Sequence, residues 1–264
     1  MTFSRDNFNE ATYSWTHCAV QALPDAAAEA LARAIADDIV RQRTLAVPGL
    51  HARWTAALNG TPLDAEAARL LPIYLEPGFG TRVSPSTSTL TQAAVAEHLW
   101  HIAMNDARAR RTLVLVTKPK FHTTAPGGDG LVVFRDRQLF FELWEIKKYS
   151  GRTPSRAVNK SCKQLTANAA RYLAEQSDIL VQTRTDPAEQ EFYAQLVSMW
   201  LDGEASARAG VCVASSVVTD RCFEALANHF AQLGGPLPRA GLIFAVGDLP
   251  AFAERVRELL WTGQ

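Results

Sequence analysis

Two strand-like runs joined by a three-residue link restrict the fold more than any other feature of this sequence. Residues 131–135 (LVVFR) and 139–148 (LFFELWEIKK) are rich in β-branched and aromatic side chains, and only Asp136, Arg137 and Gln138 separate them. A link this short joins adjacent antiparallel strands. Because the second run is apolar almost throughout, it is typical of a central strand, and we expect helices to flank the sheet that contains it.

The remaining periodicities place helices and further strands around this hairpin. Apolar residues at helical spacing predict helices over 24–44, 62–71 (ending before Pro72), 89–109, 155–175, 220–233 and 250–261. Apolar or β-branched runs predict strands over 112–117, 211–218 and 241–246. This order predicts one domain with an α/β fold, in which helices flank a mixed central β-sheet. It would comprise a helical N-terminal extension (1–88), a core (89–218) and a C-terminal α/β extension (219–264).

Composition argues against several classes of protein. Lys and Arg together number 27, as do Asp and Glu, so a globally basic nucleic-acid coat and an acidic disordered chain are excluded. No apolar run reaches the roughly 18–20 residues of a membrane helix, and the polar N-terminus lacks the apolar stretch of a signal peptide. The four cysteines have no metal-ligand spacing. We therefore expect reduced cysteines, a cytoplasmic location and no membrane association.

The zero net charge conceals a strong segregation along the chain. Between Ala107 and Ala174 there are 14 basic and 4 acidic residues, a net charge of +10, and the flanking segments together carry 13 minus 23, or −10. No acid occurs from Ile146 to Ala174. A solvated basic face is one interpretation, and a binding site for a polyanion in an otherwise acidic protein is the other.

Three acids and one lysine are unusual for their positions. Glu97 interrupts the apolar stripe of the helix AAVAEHLWHIAM, Asp129 follows Gly128 directly before the 131–135 strand, and Glu145 and Lys147 share one face of the apolar strand after it. Each has an ordinary alternative. The Glu97 carboxylate could reach solvent from the edge of the stripe, and Asp129 could be a turn residue. Glu145 and Lys147 could form a structural ion pair.

Taken together, these residues predict a metal site. The hairpin would bring Asp129 close to Glu145, and two adjacent carboxylates repel unless one is protonated or a cation lies between them. Oxygen ligands favour Mg²⁺ or Mn²⁺, which bind through one or two carboxylates, water and substrate phosphates. Lys147 could then orient the attacking water or stabilise the charge that develops on phosphorus.

The same residues resemble a known pattern. Glu97 in a helix, Gly128-Asp129-Gly130 before a strand and Glu145-x-Lys147 on the next strand are similar to the PD-(D/E)xK (restriction-endonuclease-like) nuclease superfamily. The likeness covers roughly half the chain, and Gly128 stands where the family pattern has proline. It implies a restriction-endonuclease-like core with Asp129 and Glu145 as metal ligands, Lys147 as the catalytic lysine and Glu97 as a further catalytic acid. Gln164, in the following helix, would be an accessory polar residue of the site.

The layout is also similar to the nuclease subunits of bacterial anti-phage systems of the Hachiman type, which work with a helicase. This resemblance implies a Mg²⁺- or Mn²⁺-dependent deoxyribonuclease in antiviral defence, with DNA and a protein such as a helicase as partners. Basic side chains after the catalytic strand are expected to bind the nucleic acid: Lys148, Arg152, Arg156, Lys160 and Lys163.

A function of another class remains open, namely a non-catalytic binding or assembly subunit on a nuclease-like fold. Other candidate residues carry ordinary interpretations. We expect His98 and His101 to lie on a polar helix face, His122 to be a loop residue, and Glu142 to point away from Glu145. The sequence contains neither a GxxxxGK phosphate loop nor a GxSxG nucleophile motif, so an NTPase and a serine hydrolase are not indicated.

Overall fold

The structure is a computed structural model that describes residues 5–106, 112–120, 128–219, 221–230, 232–233 and 239–262. The described residues form seven strands: β1 (Arg5–Asn9), β2 (Ser14–Ala19), β3 (Thr112–Val116), β4 (Gly130–Arg135), β5 (Leu139–Tyr149), β6 (Ala207–Ser215) and β7 (Arg239–Ala245). They build one sheet in the order β1-β2-β7-β6-β5-β4-β3. The strand pairs β2–β7, β7–β6 and β6–β5, in the middle of the sheet, are parallel. The pairs nearer the two edges, β1–β2, β5–β4 and β4–β3, are antiparallel. The predicted mixed sheet is confirmed.

Helices cover both faces of the sheet. In chain order they are α1 (Asp25–Arg43), α2 (Leu50–Leu58), α3 (Ala65–Phe79), α4 (Ser88–Asp106), α5 (Pro154–Thr183), α6 (Pro187–Ala194), α7 (Leu196–Asp202), α8 (Ala225–Asn228) and α9 (Leu249–Leu260). Side chains of α1, α2, α3, α4 and α9 pack in one core, and those of α5, α6, α7 and α8 pack in the other. The α/β class follows directly from this arrangement.

Strand β5 shows how the sequence serves both cores at once. Trp144 and Ile146 enter the core beneath α4, whereas Phe141 and Leu143 enter the core beneath α5. This alternation is the ordinary period of a strand, and burial on both faces explains why the segment is apolar almost throughout. A polar side chain on β5 therefore sits inside the protein unless it lies near the end of the strand.

The helices predicted over 62–71 and 220–233 end at residues other than those expected. The helix expected to end before Pro72 continues through it to Phe79, because buried Leu71, Leu75 and Phe79 tie both sides of the proline to one core. The backbone departs from helical geometry only at Pro77 and Gly78. The helix expected over 220–233 is reduced to α8 among the described residues of that segment.

The structure explains the early end of α8. Arg239 is buried and donates hydrogen bonds to the carbonyls of Ala227 and Phe230, both at 3.1 Å. Phe230 has a left-handed backbone with φ of 61°. A buried guanidinium thus satisfies carbonyls that a continuing helix would otherwise bond internally.

The region 1–88, predicted as a helical extension, also contains two strands. β1 pairs with β2, and β2 pairs in parallel with β7 from the far end of the chain. α5 is longer than the predicted 155–175, and residues 107–109 of the predicted 89–109 helix lie outside the described residues. Nowhere in the described ranges is a helix both long and apolar enough to cross a bilayer.

Candidate active site

Asp129 and Glu145 face each other at one end of the β4–β5 hairpin. The register pairs Gly130 with Trp144, so the residue before β4 lies opposite Glu145. The Asp129 N–H donates to the Trp144 carbonyl (2.9 Å), and Asp129 Oδ2 accepts a hydrogen bond from the Ile146 N–H (2.8 Å). The main chain of β5 thereby fixes the Asp129 carboxylate, and both acids are buried.

Lys147 lies on the same face of β5 as Glu145, two residues further along the strand. Its Nζ is 2.6 Å from Glu145 Oε1 and 3.9 Å from Asp129 Oδ2. Burial lowers the pKa of Lys147, but the negative charges of Asp129 and Glu145 outweigh burial, and the pKa is raised. Lys147 is therefore a protonated donor that forms ion pairs with both carboxylates.

Glu145 is only partly satisfied by these contacts. Burial, followed by the charge of Asp129, raises its pKa to about 7. Its Oε1 is paired with Lys147, but its Oε2 is buried and has no hydrogen-bond partner in the described ranges. A buried carboxylate oxygen without a partner is unfavourable, so a proton or a cation would be stabilising at this position.

Glu97 joins the cluster from α4, on the other face of the sheet. Its side chain is 5% exposed, so the alternative in which it reaches solvent is wrong. Burial raises its pKa to about 8, and the charge of Asp129 contributes to the rise. Glu97 Oε2 accepts a hydrogen bond from the Lys120 N–H at 3.1 Å. At neutral pH, Glu97 is therefore a largely protonated carboxylic acid.

Lys120 is the residue of the cluster that sequence reasoning did not single out. Its Nζ is 3.1 Å from Asp129 Oδ1, on the carboxylate oxygen that does not bind the Ile146 N–H. The ladder between β3 and β4 carries the chain into this position, since Thr117 exchanges hydrogen bonds with Leu131. Lys120 was visible in the sequence only as one of the bases of the positive segment, because a residue after a strand has no periodic signal.

The glycines around Asp129 serve packing. A Cβ atom on Gly130 would lie 2.1 Å from Trp100 Cη2 on α4, and one on Gly128 would lie 3.0 Å from Leu143 Cδ1 and from the Tyr172 ring. A side chain at Gly130 would displace a fully buried tryptophan. The G-D-G sequence therefore lets the turn before β4 fit between α4 and α5, which brings Asp129 to its partners.

Among the described residues, the cluster offers a metal two carboxylates, those of Asp129 and Glu145, rather than a larger ligand set. Within the described ranges, no group of three or more His, Cys, Asp or Glu side chains is arranged to hold an ion. Asp129 and Glu145 nevertheless fit Mg²⁺, which needs only one or two carboxylates when water and phosphates complete its shell. The unpaired Glu145 Oε2 is the observation that favours a cation here. Glu97 would then be a nearby acid rather than a required ligand.

The other predicted site residues lie outside this cluster of contacts. The Gln164 side chain, on α5, has no hydrogen bond to the four predicted catalytic residues in the described structure, and its Oε1 is buried without a partner there. The five predicted nucleic-acid-binding residues follow Lys147 on β5, the next loop and α5, and among described residues none of them pairs with a carboxylate. They are Lys148, Arg152, Arg156, Lys160 and Lys163.

His98 and His101 are not on a polar helix face as expected. Both are buried, and their Nδ1 atoms lie 2.7 and 2.8 Å from Asp38 Oδ2 on α1. Burial alone would raise the pKa of Asp38, but hydrogen bonds from the two histidines outweigh burial and hold this pKa far below its usual range, so the carboxylate accepts from both rings. This network joins α4 to α1. His122 lies outside the described residues, and Glu142 faces Trp144 and Arg208 rather than the cluster.

Comparison with known proteins does not assign this chain to a family. No family model matches the chain, and no curated protein matches it significantly.

Proposed function

We propose that this protein is a Mg²⁺- or Mn²⁺-dependent nuclease of the PD-(D/E)xK type that hydrolyses phosphodiester bonds in DNA. One observation carries the proposal: Asp129, Glu145 and Lys147 converge at one end of a buried hairpin, with Lys147 Nζ 2.6 Å from one carboxylate and 3.9 Å from the other. Buried acids paired with a protonated lysine are uncommon in a core strand. The order of Glu97, Asp129, Glu145 and Lys147 along the chain matches the order of the family's acids and lysine.

Each residue has a role that its environment allows. Asp129 and Glu145 would hold the ion, which when bound would polarise a phosphoryl oxygen and acidify water. Lys147, being protonated, donates hydrogen bonds to the water or to the phosphoryl oxygen and stabilises negative charge as it develops. Glu97, with a pKa raised to about 8, can hold or release a proton near neutral pH. Water adds to phosphorus, a P–O ester bond breaks, and the leaving oxygen takes up a proton.

The segment that follows Lys147 in the chain suits a polyanion. Lys147 is followed by basic residues on β5, the next loop and α5, and no acid occurs from Ile146 to Ala174. Because side chains of Lys148, Arg152, Arg156, Lys160 and Lys163 form no ion pairs with carboxylates in the part of the chain that is described, they are available to phosphates. This supports DNA as the substrate.

The wider biological role depends on the resemblance alone. By that resemblance the nuclease acts in bacterial anti-phage defence and is controlled by a partner such as a helicase. A cytoplasmic location agrees with the cysteines, since Cys18, Cys162, Cys212 and Cys222 are all free and buried.

Plasmid cleavage tests the chemistry. Supercoiled and linear DNA are incubated with the protein in Mg²⁺ or Mn²⁺, with an EDTA control. Glu145→Gln and Lys147→Met are expected to lower the cleavage rate at least about a hundredfold, since the first removes a proposed metal ligand and the second removes the donor to the reacting phosphate. Glu142→Gln is the matched control, because Glu142 is a buried acid of the same strand on the opposite face.

The outcomes separate the two classes of function. Cleavage by either site variant at the wild-type rate contradicts the assignment. A wild-type protein that binds DNA but cuts neither substrate in either ion is instead a binding or assembly subunit. Nicking of the supercoiled plasmid identifies an endonuclease.

A further inference from the structure

Lys120 contacts the Asp129 oxygen that accepts no main-chain hydrogen bond from the described residues. Asp129 Oδ2 accepts the Ile146 N–H at 2.8 Å and lies near Lys147, whereas Oδ1 is 3.1 Å from Lys120 Nζ. A divalent cation that uses Asp129 therefore competes most directly with the Lys120 ammonium. The side chain of Lys120 is largely buried, so this pair is not an ordinary surface contact.

The backbone of Lys120 is held separately from its ammonium group. The Lys120 N–H donates to Glu97 Oε2 at 3.1 Å, and Thr117 anchors the preceding residues to β4. The ammonium is at the end of a flexible stem, 5.9 Å from the centre of the Tyr172 ring. Because these contacts belong to different parts of the residue, the ammonium can leave Asp129 without moving the chain.

We propose that Lys120 is an internal counter-ion, which pairs with Asp129 in the ion-free protein and is displaced when a divalent cation binds. This inference rests on the proposed function, because it concerns the same metal site. The lysine stabilises the cluster of acids when no ion is present, and it raises the concentration of ion needed to fill the site. Once displaced, a compact positive charge remains beside the site, where a phosphate oxygen is the natural partner.

Titration calorimetry with MnCl₂ on the full chain measures this competition without any cleavage assay. The variants are Lys120→Met, which keeps the stem but removes the charge, and Lys120→Arg, which keeps the charge. Lys118→Met is the matched control, because Lys118 is an exposed lysine on the same segment. Asp129→Asn identifies the heat that belongs to the site.

We expect Lys120→Met to bind Mn²⁺ about five- to tenfold more tightly than the wild type, since the ion no longer has to break an ion pair. Lys120→Arg and Lys118→Met should stay within about twofold of the wild type. In EDTA, Lys120→Met should melt at a lower temperature than the wild type, and Mn²⁺ should raise its melting temperature by a larger increment.

The results distinguish this inference from the function on which it rests. If the wild type binds Mn²⁺ through Asp129 but Lys120→Met binds equally or more weakly, the counter-ion role is overturned and the proposed metal site stands. If no Mn²⁺ binding is detected, or if Asp129→Asn does not abolish it, both the counter-ion role and the proposed metal site are overturned. If Lys120→Met does not fold, Lys120→Arg decides, because an Mn²⁺ affinity that falls more than about fivefold would show that the lysine supports the ion instead of competing with it.

Discussion

Glu97 is expected to destabilise the folded protein at alkaline pH, and replacing it with glutamine should reverse that effect. Its pKa is raised from 4.5 to about 8, chiefly by burial. A carboxyl group whose pKa is higher in the folded chain favours folding in its protonated form. Its contribution to stability is therefore complete below pH 4.5 and is lost as the pH rises towards 8.

The size of the effect follows from these two pKa values. One pH unit of difference corresponds to about 1.4 kcal/mol, so the full difference corresponds to roughly 5 kcal/mol. Between pH 5 and pH 8 the free energy of unfolding should fall by roughly 3 to 4 kcal/mol on account of Glu97 alone. The amide introduced by Glu97→Gln cannot ionise, and its carbonyl can still accept the hydrogen bond from the Lys120 N–H.

Urea unfolding at pH 5 and pH 8 in EDTA, followed by tryptophan fluorescence, measures this difference. We expect the stability advantage of Glu97→Gln over the wild type to grow by roughly 3 to 4 kcal/mol from pH 5 to pH 8. Glu76→Gln is the control, since Glu76 is an exposed helical glutamate on α3, and its advantage should be nearly the same at both values.

A stability advantage of Glu97→Gln that is the same at both pH values to within about 0.5 kcal/mol would contradict this expectation. Such a result would mean that Glu97 ionises in the folded chain as readily as in the unfolded chain. An advantage that grows equally for Glu76→Gln would assign the effect to net charge instead of burial. The m-values must also agree among the three proteins, since a change in m would signal a different unfolded state.

Two further predictions concern the packing around α4. Burial lowers the pKa of His98 to about 4 in spite of Asp38, so stability should fall as the pH drops from about 6.5 towards 4. NMR of the imidazole nitrogens should show His98 neutral at pH 5.5, and a ring that is half protonated near pH 6.5 would contradict this. Gly130→Ala would place a Cβ atom 2.1 Å from Trp100 Cη2 and should cost several kcal/mol in urea unfolding. Gly247→Ala, whose nearest neighbour would be at 3.4 Å, should cost far less, and equal losses would refute the packing argument.

The hairpin and the position of its acids could be predicted because both depend on local rules. The short link between the two runs sets an antiparallel register, and strand alternation then places Glu145 and Lys147 on one face. From that register alone, Asp129 had to lie opposite Glu145. A buried β5 could be predicted as well, since few other positions tolerate so many consecutive apolar residues.

The missed features depend on partners that are distant in the sequence. β1 is a polar edge strand that exists by pairing with β2, and β2 in turn pairs with β7, more than 200 residues later. The local pattern predicts a polar face for His98 and His101. This prediction fails because their partner Asp38 lies about 60 residues earlier, on α1, where the local pattern cannot reveal it. In each case tertiary contacts override the local pattern.

The structure divides the basic residues of the positive segment into those paired with acids and those that are not, among the described residues. Of the bases in the positive segment, Lys120 and Lys147 are paired with acids of the site, and Arg135 is paired with Glu189. These charges are already partly neutralised and cannot all be counted towards DNA binding. The net charge of +10 therefore overstates the charge offered to a phosphate backbone. The lysines of the cluster instead offset the cost of burying Asp129 and Glu145 beside Glu97. On the proposed function, the bases of α5 and its preceding loop would be the ones that attract the phosphate backbone.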